Sequence, residues 1–117
     1  MENIYDQARA LASALKETEE YREYTRLKAV AYDDSTNKSL LDEYKRLQYR
    51  MQMTLASGKS VDEDEMQKMQ RLASILQFNP DVSAYMLAEF RFQRMLSEVF
   101  QILGEAAGID LDALAGT

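Results

Sequence analysis

A single run, Pro80 to Ala106, limits most what this chain can become. Asn79-Pro80-Asp81 reads as its start: Asn accepts a hydrogen bond from an orphaned backbone N–H, and Pro at the first helical position lacks the donor it would waste there. Tyr85, Ala88, Phe92, Met95, Val99, Ile102 and Ala106 then recur in alternating steps of three and four, which puts them in one seam of an α-helix. Leu96, Phe100, Leu103 and Ala107 form a second seam roughly a quarter-turn away, at 100° per residue. The C-terminal half of the helix therefore has two faces to cover. At 1.5 Å per residue the helix is about 40 Å long, more than a compact domain this small needs. Such length and apolarity predict cover from another copy of the chain.

Four shorter helices precede it. Ile4, Ala8, Leu11 and Leu15 give an alanine-rich helix over about residues 3 to 16, with one thin stripe expected to pack closely. Thr18 before Glu19 and Glu20 reads as the next N-cap with an acidic first turn, and Tyr21, Tyr24, Leu27 or Lys28, and Ala31 trace a second stripe that ends near Tyr32. Asp34 is the expected cap of the third helix, whose stripe is Leu40, Tyr44, Leu47, Met51 and Thr54 or Leu55. The pairs Lys38 with Asp42 and Asp42 with Arg46 lie beside that stripe, and Gly58 closes the helix. Ser60-Val61-Asp62-Glu63 matches a capping box for a fourth helix that carries Met66, Met69, Leu72 or Ala73, and Leu76, and ends around Phe78. Gly104 and Gly108 are expected to loosen the chain, after which residues 109 to 114 have the content for one docking turn. With no strand-like alternation of useful length and short loops, the expectation is an all-α fold. It comprises five helices in an antiparallel, hairpin-like bundle, as one domain over residues 1–117 with its core at about 3–106 and a tail at 107–117.

Composition narrows the chemistry. The 117 residues include no Cys and no His, which removes disulfides, thiol nucleophiles, iron–sulfur and thiolate zinc ligation, imidazole ligands and the usual near-neutral general base. No cofactor or metal is expected. A net charge of −6, from 20 acidic against 14 basic residues, argues against a general nucleic-acid grip. The N-terminal residues lack a basic segment followed by an apolar run, and no stretch of 18 apolar residues occurs, so the expectation is a soluble cytoplasmic protein with no membrane partner.

Few motifs suggest a reaction. Glu17, Glu20 and Glu23 place carboxylates one helical turn apart, as all-helical Mg-dependent nucleotide hydrolases do, but the E-x-x-D those enzymes also carry is absent, and a solvated acidic first turn explains the trio. Glu89 falls inside the second apolar seam of the last helix; it fits a structural ion pair or Tyr contact, or a charge that recognises a partner. Arg46, Tyr49 and Arg50, and separately Arg91 and Arg94, interleave basic and aromatic groups in a way RNA could use. Met51, Met53, Met66 and Met69 flank one hairpin and suit either a core or a groove.

The opening Ile4-Tyr5-Asp6 with Ala8 and Leu11, the Glu20-Tyr21 start of helix two, Leu40-Leu41-Asp42-Glu43-Tyr44 with Leu47-Gln48, the hairpin from Gly58 to Glu65, Asn79-Pro80, and Ala88-Glu89-Phe90-Arg91 continuing to Met95-Leu96 together resemble the YlbF/YmcA family of small bacterial helical proteins. The resemblance runs from about residue 2 to 114 and rests on packing and capping patterns. It implies a non-enzymatic regulator that works by protein–protein contact. The better-known relatives act in competence, sporulation and biofilm formation, within a complex that modulates an mRNA-processing endoribonuclease. Members of that complex carry cysteines associated with iron–sulfur clusters; this chain has none and looks like a stand-alone, cysteine-free relative. The expected surface for self-association, as a homodimer or higher, and for a further protein partner is Phe92, Met95, Leu96, Val99, Phe100 and Leu103 with Glu89. The alternatives are an RNA-associated factor using the Arg/Tyr patch and a Mg-dependent hydrolase.

Overall fold

The structure, a computed structural model, describes residues 3–111. Within them the chain forms five α-helices and no strand: α1 (Ile4–Lys16), α2 (Glu19–Asp33), α3 (Ser35–Ala56), α4 (Glu63–Gln77) and α5 (Pro80–Ala107). The all-α, five-helix expectation is met.

Short polar side chains set most helix ends. At α1, Asn3 Oδ1 accepts from the Asp6 N–H at 2.9 Å and the Asp6 carboxylate accepts from the Asn3 N–H at 3.4 Å, a reciprocal cap that the sequence pattern alone did not bring out. Thr18 serves two helices with one hydroxyl, donating to the Leu15 carbonyl at 2.7 Å and accepting from the Tyr21 N–H at 3.2 Å. Asp34 caps α3 through the Asn37 N–H, and Asn79 caps α5 through the N–H groups of Asp81 and Val82. Gly58 closes α3 with φ of 81°, a conformation that costs glycine little. The cap of α4 differs from the expected box. Asp62, not Ser60, holds the N-cap position and accepts from the Asp64 N–H at 3.1 Å, so the helix begins two residues later. A carboxylate is the better acceptor there, because the helix dipole favours negative charge at its N-terminus.

The chain divides into two compact units, one spanning Leu27–Tyr85 and the other Met1–Arg26 with Met86–Thr117; α2 and α5 each contribute to both. The Leu27–Tyr85 unit contains Ala31, Leu41, Leu47, Leu72, Leu76, Val82 and Tyr85, all buried. Leu41 is fully buried although the expected stripe of α3 passed over it in favour of Leu40, which is half-buried; the covered arc of α3 is wider than one stripe. α3 and α4 form a hairpin stitched by Glu43–Lys68 at 2.8 Å and Arg50–Glu65 at 3.3 Å. The hydrogen bond and charge of Lys68 hold the Glu43 carboxyl below its ordinary pKa. These pairs cross between helices, whereas the expected Lys38–Asp42 and Asp42–Arg46 pairs along α3 are not among the ion pairs of the described residues.

Tyr85 ends this unit in an aromatic and cationic cluster. The Tyr32 and Tyr85 rings meet edge to face at 5.6 Å, and Lys45 donates to the Tyr85 hydroxyl while its ammonium lies 5.7 Å from the Tyr32 centroid and 4.9 Å from that of Tyr85. The buried hydroxyl thereby has a partner, and the ring faces offer the lysine charge its quadrupole. Asn79 Nδ2 also donates to Asn37 Oδ1 at 3.1 Å, which links the start of α5 to the start of α3.

Candidate functional site

The candidate site lies in the other unit, on α1 and the part of α5 that follows Met86. Here α5 begins with Ala88, which is buried, and Phe92, which stacks on Tyr24 with centroids 5.0 Å apart and planes 8° from parallel. Tyr21 meets the same Phe92 ring at 5.6 Å and 61°. The aromatic stripe of α2 is thus answered by α5 of the same chain, and Phe92, expected at an interface between copies, is engaged by its own tyrosines.

Beyond Phe92 the cover thins. Met95, Leu96, Val99 and Phe100 are half-buried, Leu103 is 46% exposed and Ile102 is 67% exposed. The two seams are present as expected, but the described residues cover only their first part. Glu89 is half-buried at the head of this region. At the far end Gly104 is buried because the chain turns back over it. Gly108 adopts φ of 74°, the Gly108 and Ile109 N–H groups both donate to the Gly104 carbonyl, and a Cβ added at Gly104 would lie 2.5 Å from the Ile109 carbonyl oxygen. Gly104 does not loosen the helix as expected; it permits a close backbone approach. The expected docking turn is described only to Leu111, and its last residues, 112 to 114, lie outside the described part of the chain.

No residue of α1 is buried. Ile4 is 73% exposed, Tyr5 69% and Leu11 42%, and Leu15 is half-buried, so the described residues leave most of the stripe expected to pack closely uncovered. Sequence reasoning missed these positions as surface. The signal available was the thinness of the stripe, with alanines in place of large side chains.

Several of the polar candidates are held in ion pairs. Glu17 pairs with Arg22 at 2.7 Å and Glu23 with Arg26 at 2.7 Å, and among the described residues no group of three or more acidic side chains converges to hold a metal ion. Arg46, Tyr49 and Arg50 are exposed on α3, but Arg50 is paired with Glu65; Arg91 and Arg94 are exposed in the other unit, with Arg94 3.6 Å from Glu98. Met51 and Met69 are half-buried whereas Met53 and Met66 are exposed, so the methionines of the hairpin are shared between interior and surface.

The arrangement is that of an all-helical protein whose most distinctive surface is apolar helix, suited to contact with another protein. The chain belongs to the YlbF/YmcA family: residues 4–106 match the family described as control of competence regulator ComK, YlbF/YmcA. Relatives include the UPF0342 protein of Desulfitobacterium hafniense, 32% identical over 104 residues that cover 89% of this chain and 84% of the relative. The UPF0342 protein of Staphylococcus aureus strain Newman is 32% identical over 101 residues, covering 86% and 89%. Among solved structures, a protein of unknown function (DUF964) from Bacillus stearothermophilus superposes with a TM-score of 0.76 over 92% of this chain and 94% of that one, and at 21% identity it speaks for the fold. No helix among the described residues is long and apolar enough to cross a membrane.

Proposed function

We propose that this protein is a non-enzymatic regulatory adaptor that acts by protein–protein contact, in the control of competence, sporulation or biofilm formation by way of mRNA processing. The observation that carries the proposal is the exposure of Ile102 and Leu103 at the end of a half-buried apolar seam, Met95, Leu96, Val99 and Phe100. A contiguous apolar surface of this kind marks an interaction site. Self-association through this seam, with Glu89 at its head, is part of the proposal, and the family's link to a competence regulator supports the regulatory role. The RNA reading has weaker support, since two of its arginines are already in ion pairs with carboxylates.

Light scattering on the wild type and on Leu103→Glu and Phe100→Glu tests the contact surface. An oligomer that dissociates in the variants, with helicity kept, is the expected result. Deletion of the gene should then change competence or biofilm formation, with rescue by the wild type and not by Leu103→Glu. A wild-type monomer, or full rescue by a dissociated variant, would contradict the proposal.

A further inference from the structure

The α3–α4 hairpin lies wholly within the Leu27–Tyr85 unit and has one side that is both charged and apolar. Glu43 and Arg50 are seven residues apart on one face of α3, so their bridges to Lys68 and Glu65 leave the hairpin on the same side. On α4 that side continues from Lys68 through Arg71 and Ile75 to Phe78, in steps of three, four and three. Phe78 keeps helical backbone angles at the end of α4 and is 88% exposed, more than any other large apolar residue among those described; Ile75 is 53% exposed.

The charges on this side do not cancel. The Glu43 carboxyl bridges Lys68 at 2.8 Å, and its pKa is lowered first by that lysine and then by the charge of Arg46 as well. Arg71, one turn beyond Lys68, is exposed and has no ionic partner among the described residues, and Asp42 makes no ion pair with Arg46. Three cations thus share one carboxylate. The sign reverses only toward the hairpin's tip, at Asp64 and Glu65, where Arg50 answers Glu65. We infer that this side, with Arg46, Lys68, Arg71, Ile75 and Phe78, docks an acidic amphipathic segment of a partner protein. Its carboxylates meet the three cations and its apolar side chains meet Ile75 and Phe78. The inference rests on the reading of the chain as a protein-contact adaptor, but not on its self-association. In a chain of net charge −6, an acidic segment is repelled by most of the surface and steered to a local cationic one. A nucleic acid fits less well, because a phosphate strand needs a run of cations, whereas Glu43 stands among these and Asp64 and Glu65 follow. Arg71 and Ile75 also border a depression of about 480 Å³ with Gln67, Gln70 and Ser74, whose amides and hydroxyl offer hydrogen bonds to the segment.

Fluorescence anisotropy with the full chain at low salt tests this with three labelled probes. The first is a helical alanine-based peptide with glutamates on two successive turns of one face and leucines on the next two. The second replaces its glutamates with glutamines, and the third is a single-stranded oligouridine. The glutamate peptide should bind with a Kd below about 1 mM, about tenfold tighter than the glutamine peptide, and should weaken as salt is added. Arg71→Glu should weaken that binding by about tenfold, since an attraction becomes a repulsion, and Phe78→Ser should weaken it by several-fold. Both side chains are exposed, so helicity should be unchanged. Absence of binding, equal binding of the two peptides, or a glutamate peptide indifferent to both substitutions overturns the inference. Oligouridine binding that Arg71→Glu abolishes, with the glutamate peptide unbound, also overturns it and reassigns the surface to nucleic acid. Light scattering of Arg71→Glu should give the wild-type mass; dissociation would overturn the inference by making the hairpin a contact between copies. A wild-type monomer that still binds the glutamate peptide removes self-association and leaves this surface standing.

Discussion

Replacing Ile102 with alanine should weaken self-association by about two orders of magnitude and leave the single chain folded. Ile102 is 67% exposed, so about two thirds of its burial is available only to a partner. The substitution removes three carbons at about 0.8 kcal/mol each, or about 2.4 kcal/mol for complete burial, and two thirds of that is about 1.6 kcal/mol per copy. In a symmetric dimer both copies lose it. The total, about 3.2 kcal/mol, corresponds to roughly a 200-fold increase in Kd. The remaining third of the burial loss, under about 1 kcal/mol, acts on the chain itself and is partly offset by the higher helix propensity of alanine. A dilution series followed by sedimentation velocity reads the change, with Gln101→Ala, an exposed neighbour off the seam, as the control. A Kd within threefold of the wild type would refute the reasoning, because it would mean that Ile102 gains no cover on assembly.

Three further outcomes follow from the packing. Leu76→Ala, at a position 1% exposed, should cost about 3 kcal/mol and lower the thermal midpoint by roughly 10 °C; a shift under about 3 °C would show that the site is not a packed core. Gly104→Ala places a methyl against the Ile109 carbonyl, so amide exchange at Ile109 should accelerate while the body of α5 gains helix propensity; unchanged protection at Ile109 would contradict the close approach. Because the folded-state pKa of Glu43 is lowered, its pair with Lys68 contributes above the ordinary value of 4.5 and is lost as the pH falls through the folded value. The stability difference between wild type and Lys68→Met should therefore shrink on acidification from about pH 7 to 3, and a difference that stays constant would count against the pair.

The helices and several of their ends could be read from sequence because the interactions that set them are local. Thr18, Asp34 and Asn79 each reach a backbone N–H two or three residues away, and Gly58 needs only its own φ, so neighbouring residues carry the information. At α4 the local pattern pointed to Ser60 as the cap, and the structure selects the carboxylate of Asp62 instead. The 3-and-4 spacing in α5 likewise announced both seams, and with them most of the candidate surface.

Periodicity shows that a face is apolar but does not show what covers it. The stripe of α1 has the same spacing whether it is buried or bare, and only the tertiary structure leaves Ile4 and Leu11 uncovered. Phe92 sits in its seam by local spacing, yet its engagement by Tyr21 and Tyr24 depends on bringing α2 against α5 from the far side of the sequence. Gly104 reads as a weak point in a helix until the backbone at Ile109 returns to within a methyl's reach. The sequence by itself determined five helices, a cysteine- and histidine-free chemistry and two apolar seams, since propensity, capping and side-chain spacing act over a few residues. The tertiary structure decided which apolar side chains are covered and which are left for a partner, because burial depends on packing between segments far apart in the chain.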